Sequence, residues 1–415
     1  MQQKKIYPWI VVGLLWVVAL LNYIDRQMLS TMKPSMMIDI AELETAANFG
    51  RLMAVFLWIY ALMSPVSGII ADRLNRKWLI VGSLFIWSAV TLLMGYAKTF
   101  DQLYVLRAIM GVSEAFYMPA GLALIADYHQ GKNRSLAVGI HMTGIYLGQA
   151  LGGFGATIAF NFSWQTTFHV FGFIGVLYSV ILILFLREKK AYTIAPEDSH
   201  SIVKGFTEAF KGVGVLLGNL SFWVILFYFS APSLPGWATK NWLPTLFSTN
   251  LHINMEQAGP LSTITIAMSA LIGVLVGGII SDRWMQRNLR GRIYTGAVGL
   301  AMTIPAVMLL GFGGSSFAAI WCGASLFGLG FGIFDVNNMP ILCQFVSPRF
   351  RATGYGLMNM AGISAGALIT TILGKSADSG NLSRDIAMLA GFVVLAIVFQ
   401  LWLLHPKTAN KTDEF

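Results

Sequence analysis

Cysteine is nearly absent: only Cys322 and Cys343 occur in 415 residues. Both lie inside apolar stretches without a Cys-x-x-Cys or histidine partner, so neither a disulfide framework nor a metal site is supported, and both read as packing residues. Charge is scarce too, at 11% of the chain, and no nucleophile with a base, no metal-ligand set and no phosphate-cradling loop stands out. An enzyme is therefore not expected, and neither is a cofactor. The start, Met1-Gln-Gln-Lys4-Lys5, runs into a long apolar stretch with no small-residue cleavage site, which reads as a first membrane helix and not as a removable signal. The formal net charge of +9 does not mark a nucleic-acid binder, because the basic residues are scattered over short loops. What the chain has in quantity is apolar surface: 56% hydrophobic residues, 12 tryptophans and a mean hydropathy of +0.67. Its solvent is lipid.

A spanning helix needs about 20 apolar residues, and the sequence offers twelve such stretches: 8–33, 50–71, 78–97, 102–128, 134–160, 165–186, 219–248, 258–281, 293–312, 315–346, 351–375 and 385–405. An even count puts both termini on one side. Twenty of the lysines and arginines fall on the terminal side, whereas the opposite loops hold only Arg51, Lys98, Lys240, Lys375 and Arg384. The excess predicts cytoplasmic termini, and the short loops lean towards a bacterial inner membrane. Residues 1–186 and 219–415 then read as two six-helix bundles. Residues 187–218 form the linker, in which the stretch from Ile202 to Leu217 is amphipathic enough for an interfacial helix.

The halves repeat. Gly68-Ile-Ile-Ala-Asp72-Arg73 returns 210 residues later as Gly278-Ile-Ile-Ser-Asp282-Arg283. Leu243-Pro244 follows Lys33-Pro34 at the same interval, Met339-Pro340 matches Met118-Pro119, and Arg351 to Gly356 matches Arg134 to Gly139. In the first copy, Gly68 permits close helix approach, and Asp72, Arg73, Arg76 and Lys77 put a carboxylate among cations where an ion-pair network could gate one face, with Asp127 as a partner. The second copy, with Asp282 and Arg283 followed by Arg287, lacks the tandem basic pair. This doubled loop resembles the signature of the major facilitator superfamily. The resemblance covers the whole chain and implies an all-α membrane fold that moves by alternating access.

Ionisable groups at bilayer depth are costly and tend to mark function. Here they are few: Asp25, Arg26, Arg107, Glu114 and Asp335. Asn22 shares a helix face with Asp25 and Arg26, and Arg107 lies two turns from Glu114 with Gly111 between them. Two acid and base pairs facing one cavity suggest proton binding at Asp25 and Glu114, with Arg26 or Arg107 on an anionic substrate group; two structural salt bridges, Asp25 to Arg107 and Glu114 to Arg26, are the plainer reading. The pieces Asn22-Tyr-x-Asp25-Arg26 and Arg107-x-x-x-Gly111-x-x-Glu114-Ala115-x-x-x-Pro119 are similar to the anion:cation symporter family, as is Gly236-x-x-x-x-Asn241-Trp-Leu-Pro244. That resemblance implies a proton-coupled carrier of a sugar acid. The first two pieces, with Ile125-Ala-Asp127-Tyr128, also resemble the spinster-like lipid transporters, and the motifs do not separate the two.

Span ten carries Asp335, Asn337 and Asn338, whose amides suit a hydroxylated substrate such as a hexuronate, hexonate or sialic acid, or else an interhelical hydrogen-bonding cluster. Tyr60, Gln149 and Asn359 are further candidate contacts, ahead of Trp58, Tyr117, Tyr146, Tyr228, Trp237 and Lys240. His141 reads as loop-facing, and Gly144, Gly148, Gly152, Gly153 and Gly155 as a close-packing face. Asp25, Arg26, Arg107 and Glu114 have no full counterparts in the second half. The expectation is a proton-coupled organic-anion symporter, acting as a monomer among membrane lipids and independent of nucleic acid. A lysolipid carrier and a non-transporting sensor are the alternatives.

Overall fold

The computed structural model describes residues 3–71, 74–129, 133–189, 202–347 and 350–406. Among them every regular element is helical: α1 Gln3–Leu29, α2 Lys33–Asp39, a 3₁₀ turn Ala41–Leu43, α3 Ala46–Ala71, α4 Arg76–Met94, α5 Phe100–Glu114, α6 Tyr117–Tyr128, α7 Arg134–Gly152, α8 Gly155–Asn161, α9 Trp164–Phe185, α10 Ile202–Leu217, α11 Leu220–Leu251, α12 Met255–Met285, α13 Gly291–Phe312, α14 Phe317–Asp335, α15 Asn338–Phe345, α16 Arg351–Asp378, α17 Leu382–Met388 and α18 Ala390–Leu403. Ten spans are long and apolar enough to cross a membrane, and α11 with the last turns of α10 makes an eleventh, bent by 89°. The remaining expected span, 134–160, is helical but falls into α7 and α8. Its apolar run is diluted by His141, Gln149 and four glycines in α7.

The expected fourth and tenth spans are not continuous. Each breaks at the same place in its half, α5 from α6 after Glu114 and α14 from α15 after Asp335. The cause lies a turn downstream of each break. A proline ring clashes with the carbonyl of residue i−4 and lacks the N–H that would bond it, and Pro119 and Pro340 therefore open the helix at Ala115 and Val336.

Helices surrounded by lipid associate through close packing and hydrogen bonds, because lipid is as apolar as leucine. The glycine face of α7 behaves this way. A Cβ on Gly144 would lie 2.7 Å from the Trp16 carbonyl oxygen, and one on Gly152 would lie 2.6 Å from Gln27 Cβ, so α7 rides on α1 turn by turn. Outward-facing stripes stay apolar: Phe173, Leu177, Val180, Ile181 and Leu184 of α9 are all exposed.

Hydrogen bonds between the first and second halves gather at the face away from the chain termini. Asp378, the last residue of α16, accepts the Ala46 and Ala47 backbone N–H groups at 2.7 and 2.8 Å, capping α3 from across the molecule. Gln27 donates to the Lys240 carbonyl at 3.0 Å, Thr263 donates to the Ala150 carbonyl at 3.0 Å, and Thr157 donates to the Glu256 carbonyl at 2.9 Å. Beside Asp378, Lys33 donates to the Glu44 carbonyl at 2.9 Å, and burial pushes its ammonium below the usual lysine range against the pull of Asp378 and Glu44. The α10 helix turns away from α11, with Trp223 donating to the Leu217 carbonyl at 2.7 Å to fix the elbow, and packs on both α3 and α16.

Candidate functional site

The break in α5 places Glu114 at a helix C-terminus, where the backbone dipole is negative and a carboxylate needs a cation. Arg26, from the last turn of α1, supplies it: Nε donates to Glu114 Oε2 at 2.6 Å, and Glu114 is fully buried. Aromatic faces hold the guanidinium, with the rings of Tyr60, Phe56 and Tyr23 centred 4.7, 4.9 and 5.1 Å from Arg26 Cζ. Phe56 presents its ring to Arg107 as well, at 4.6 Å, so one aromatic ring supports two cations from different helices.

The second expected pair does not close. Among the described residues Arg107 has no carboxylate within ion-pair distance. It donates to Met110 Sδ at 3.0 Å, and its buried Nε has no partner. Asp25 instead accepts from Thr91 Oγ1 at 3.3 Å. Asn22 is fully buried within side-chain hydrogen-bonding reach of Glu114. One terminal Arg26 nitrogen is unpartnered. Buried polar groups in native proteins are overwhelmingly hydrogen-bonded, so the unpartnered nitrogens of Arg26 and Arg107 single out this cluster as the candidate site.

Across the molecule, α14 ends at Asp335 as α5 ends at Glu114. The two carboxylates stand 221 residues apart, the same interval as between the Met-Pro steps behind them. Glu114, for which no full counterpart was expected, thus has a positional one in a shorter carboxylate at the matching helix end. Its cation has a shifted equivalent. By the 210-residue repeat, Arg26 aligns with Gly236, where the absent side chain admits the Phe331 ring: a Cβ there would lie 2.7 Å from it. A cation returns one turn later at Lys240, over the rings of Trp237 at 4.9 Å and Phe331 at 5.9 Å. Lys240, which charge counting assigns to the outer loops, lies inside α11 and within electrostatic reach of Asp335. Its signal in the sequence was the i, i+3 spacing from Trp237.

Asn338 donates to Asp335 Oδ1 at 3.0 Å and keeps its own Oδ1 unpartnered, whereas Asn337 donates its amide to the Ile333 carbonyl at 2.8 Å, sealing the helix break. Tyr23, Tyr146, Tyr228 and Tyr355 surround Asp335 within electrostatic reach. Gln149 is buried in α7, and Asn359 faces Tyr355. Trp58 points outward at 41% exposure, and the Tyr117 hydroxyl is committed to the Leu15 carbonyl. His141 is fully buried against the Tyr117 ring, not loop-facing as expected, because α7 turns that face onto α1 and α6.

At the signature loops, Asp72 and Arg73 lie outside the described residues. Arg76 pairs with Asp127, the partner expected from sequence. Asp282 pairs with Arg292 at 3.0 Å, and Arg283 is exposed. Both ion pairs join helices of the same half. A Cβ at Gly68 would meet nothing within 4 Å, so the close approach expected there is not made in this conformation.

A family model of the major facilitator superfamily matches residues 15–370. The chain belongs to the major facilitator superfamily. Members of this superfamily are transporters, not enzymes, and the all-α fold is theirs. Similar proteins include the hexuronate transporter of Escherichia coli K12, 26% identical over 99% of this chain and 96% of that one. The probable L-galactonate transporter of the same organism is 22% identical over 92% of this chain and 86% of that one. Sodium-dependent phosphate transport protein 1 of Arabidopsis thaliana chloroplasts is 26% identical over 94% and 78%. Among solved structures, a bacterial homolog of the lysosomal transporter Spinster in an inward-facing, unoccupied conformation superposes with a TM-score of 0.73 at 22% identity, covering 95% of this chain and 96% of that one. The nucleoside transporter NupG does so with 0.74 at 14%, covering 94% and 99%. These structural likenesses carry the fold.

Proposed function

We propose that this superfamily member is a proton-coupled symporter of an organic anion, a sugar acid of the hexuronate, hexonate or sialic acid kind, working by alternating access between bundles 1–186 and 219–415. The observation that carries this reading is the Arg26–Glu114 pair set beside Arg107, a buried cation with no acid within ion-pair distance among the described residues, and Asn22, a buried amide within reach of Glu114. A substrate carboxylate entering here gains charge-assisted bonds from Arg107 and competes with Glu114 for Arg26. A Glu114 that loses its cation is left buried at a negative helix end, and uptake of a proton removes that cost. Asp25, held only by a neutral hydroxyl, is the second proton site. Tyr60, Gln149, Asn337, Asn338, Asp335 and Asn359 serve the hydroxyl groups. The names of the hexuronate and L-galactonate carriers support an acidic sugar, the distribution of lysine and arginine supports cytoplasmic termini, and the short loops support a bacterial inner membrane.

The test is Glu114→Gln in proteoliposomes. Proton-driven accumulation of the sugar acid should vanish while counterflow exchange persists at a measurable fraction of wild type. Equal loss of both would remove Glu114 from the coupling role. A thermal-shift panel of sugar acids and lysolipids on purified protein tests the substrate class, and a response to lysolipids alone would replace the sugar-acid reading with a lipid one.

A further inference from the structure

Glu114 of α5 and Asp335 of α14 both end broken helices, yet they are held differently. Glu114 is fully buried against Arg26 at 2.6 Å. Asp335 is half-buried and, among the described residues, has no cation within ion-pair distance. It takes one neutral bond, from the Asn338 amide to Oδ1 at 3.0 Å. Lys240 stands within electrostatic reach of it, with its ammonium over the rings of Trp237 and Phe331. The other titratable groups that face Asp335 are tyrosines: Tyr23 of α1, Tyr146 of α7, Tyr228 of α11 and Tyr355 of α16. Helices α12 and α13, which also pack on α14, meet its end through Gly277 and Gly299, set against Ile333 and Phe334.

Two of these tyrosines join Asp335 to the Arg26 site. The Tyr23 ring is centred 5.1 Å from Arg26 Cζ, and Tyr23 lies within electrostatic reach of both Asp335 and Glu114. The Tyr60 ring is centred 4.7 Å from Arg26 Cζ, and Tyr355 lies within electrostatic reach of both Tyr60 and Asp335. Lys240 is itself within electrostatic reach of Arg26. An acid bound on Arg26 therefore attracts Lys240, in competition with Asp335. A carboxylate at the negative end of a helix that loses its cation is unfavourable. A proton on Oδ2, the oxygen that Asn338 leaves free, removes that cost.

We propose that Asp335 is a third proton site, supplied by the second half: the bound sugar acid draws Lys240 towards itself, and a proton from water passes to Asp335 Oδ2. Release of the acid returns Lys240 to Asp335 and expels the proton. This rests on the proton-coupled sugar-acid reading above and extends it, because the proton sites named there, Asp25 and Glu114, both belong to the first half.

The experiment counts the protons taken up when gluconate binds to purified protein in detergent, by calorimetry in buffers of different ionisation enthalpy. At the pH of greatest uptake, Asp335→Asn should take up fewer protons per gluconate than wild type, by about half a proton or more, and Asp335→Glu should keep most of the wild-type uptake. Unchanged uptake in Asp335→Asn would overturn the proposal and leave Asp335 as a hydroxyl contact. Glu114→Gln, measured alongside, separates the two readings: uptake lost there but not in Asp335→Asn leaves proton coupling standing without this site. A wild type that binds gluconate and takes up no proton sinks both. Should Asp335→Asn fail to fold or to bind, Lys240→Gln decides the matter. Without that cation Asp335 holds its proton before gluconate arrives, so uptake should fall in the same way, and wild-type uptake in Lys240→Gln would overturn the proposal.

Discussion

At the scale of single residues, Arg107 is the side chain whose surroundings say most. A guanidinium has five donors, yet here it gives one to a thioether sulfur and leaves Nε unsatisfied, with the Phe56 ring 4.6 Å from its Cζ. Such an arginine is held in place without being used up. Replacing it by alanine should weaken binding of a sugar acid by about ten- to a hundredfold, the worth of a hydrogen bond to a charged group, and change binding of the matched neutral polyol by less than about threefold. Titration calorimetry on the two ligands checks this, and equal losses would show that Arg107 only props up the fold. Asp25, Arg26, Arg107, Glu114 and Asp335 stand out in the sequence because charge at bilayer depth is rare, whereas charge counting leaves Lys240 outside. Their partnering was legible only in part: Glu114 pairs with Arg26 as one reading had it, but Asp25 does not pair with Arg107. Asn22 to Glu114 is a separation in sequence that says nothing of orientation, and Thr91, which holds Asp25, carries no signal that separates it from any other hydroxyl in a membrane helix.

At the scale of elements, glycine and proline decide where helices touch and where they break. The α7 glycines sit against α1 so closely that a methyl group at Gly152 would lie 2.6 Å from Gln27 Cβ and 3.0 Å from the Ile24 carbonyl oxygen, whereas one at Gly13 would meet nothing within 4 Å. Gly152→Ala should therefore destabilise the protein by about 1 to 3 kcal/mol and lower its melting temperature in detergent by several degrees. Gly13→Ala should leave it unchanged or raise it slightly through reduced unfolded-state entropy. Indistinguishable melting curves for the two variants would contradict the packing described here. Glycine spacing along α7 was legible as a packing face, but its partner was not. The breaks at Glu114 and Asp335 follow from Pro119 and Pro340, and hydropathy passes over them because a proline does little to the mean of a long apolar window.

At the scale of the whole molecule, the hydrogen bonds that join the two halves lie at the face away from the termini. Asp378 is central there: its two oxygens occupy the first N–H groups of α3 from the end of α16, a cap supplied from across the molecule, at the positive end of the α3 dipole. Opening this face requires that cap to part. Asp378→Asn should shift the conformational balance towards the open form by about 1 to 2 kcal/mol, roughly five- to thirtyfold in population. The readout is labelling of a single cysteine at Ser30, buried at 2% exposure, by a membrane-impermeant thiol reagent, with Cys322 and Cys343 replaced. Unchanged labelling would exclude Asp378 as a latch. The ion pairs at the signature loops, Arg76 with Asp127 and Arg292 with Asp282, stay within their own halves and are expected to stiffen each half during that motion.

By itself the sequence determined the solvent, the number and spacing of apolar stretches, the internal repeat and the identity of the few deep charges, because each of these is a property of composition or of spacing along one helix. Only the tertiary structure decided that Arg26 pairs with Glu114 while Arg107 does not pair with Asp25, and that Lys240 comes within electrostatic reach of Asp335. Those are relations between helices. In lipid, where hydrophobicity does not distinguish one helix neighbour from another, they are set by which glycine admits which ring or backbone, and the linear order of residues leaves that choice open.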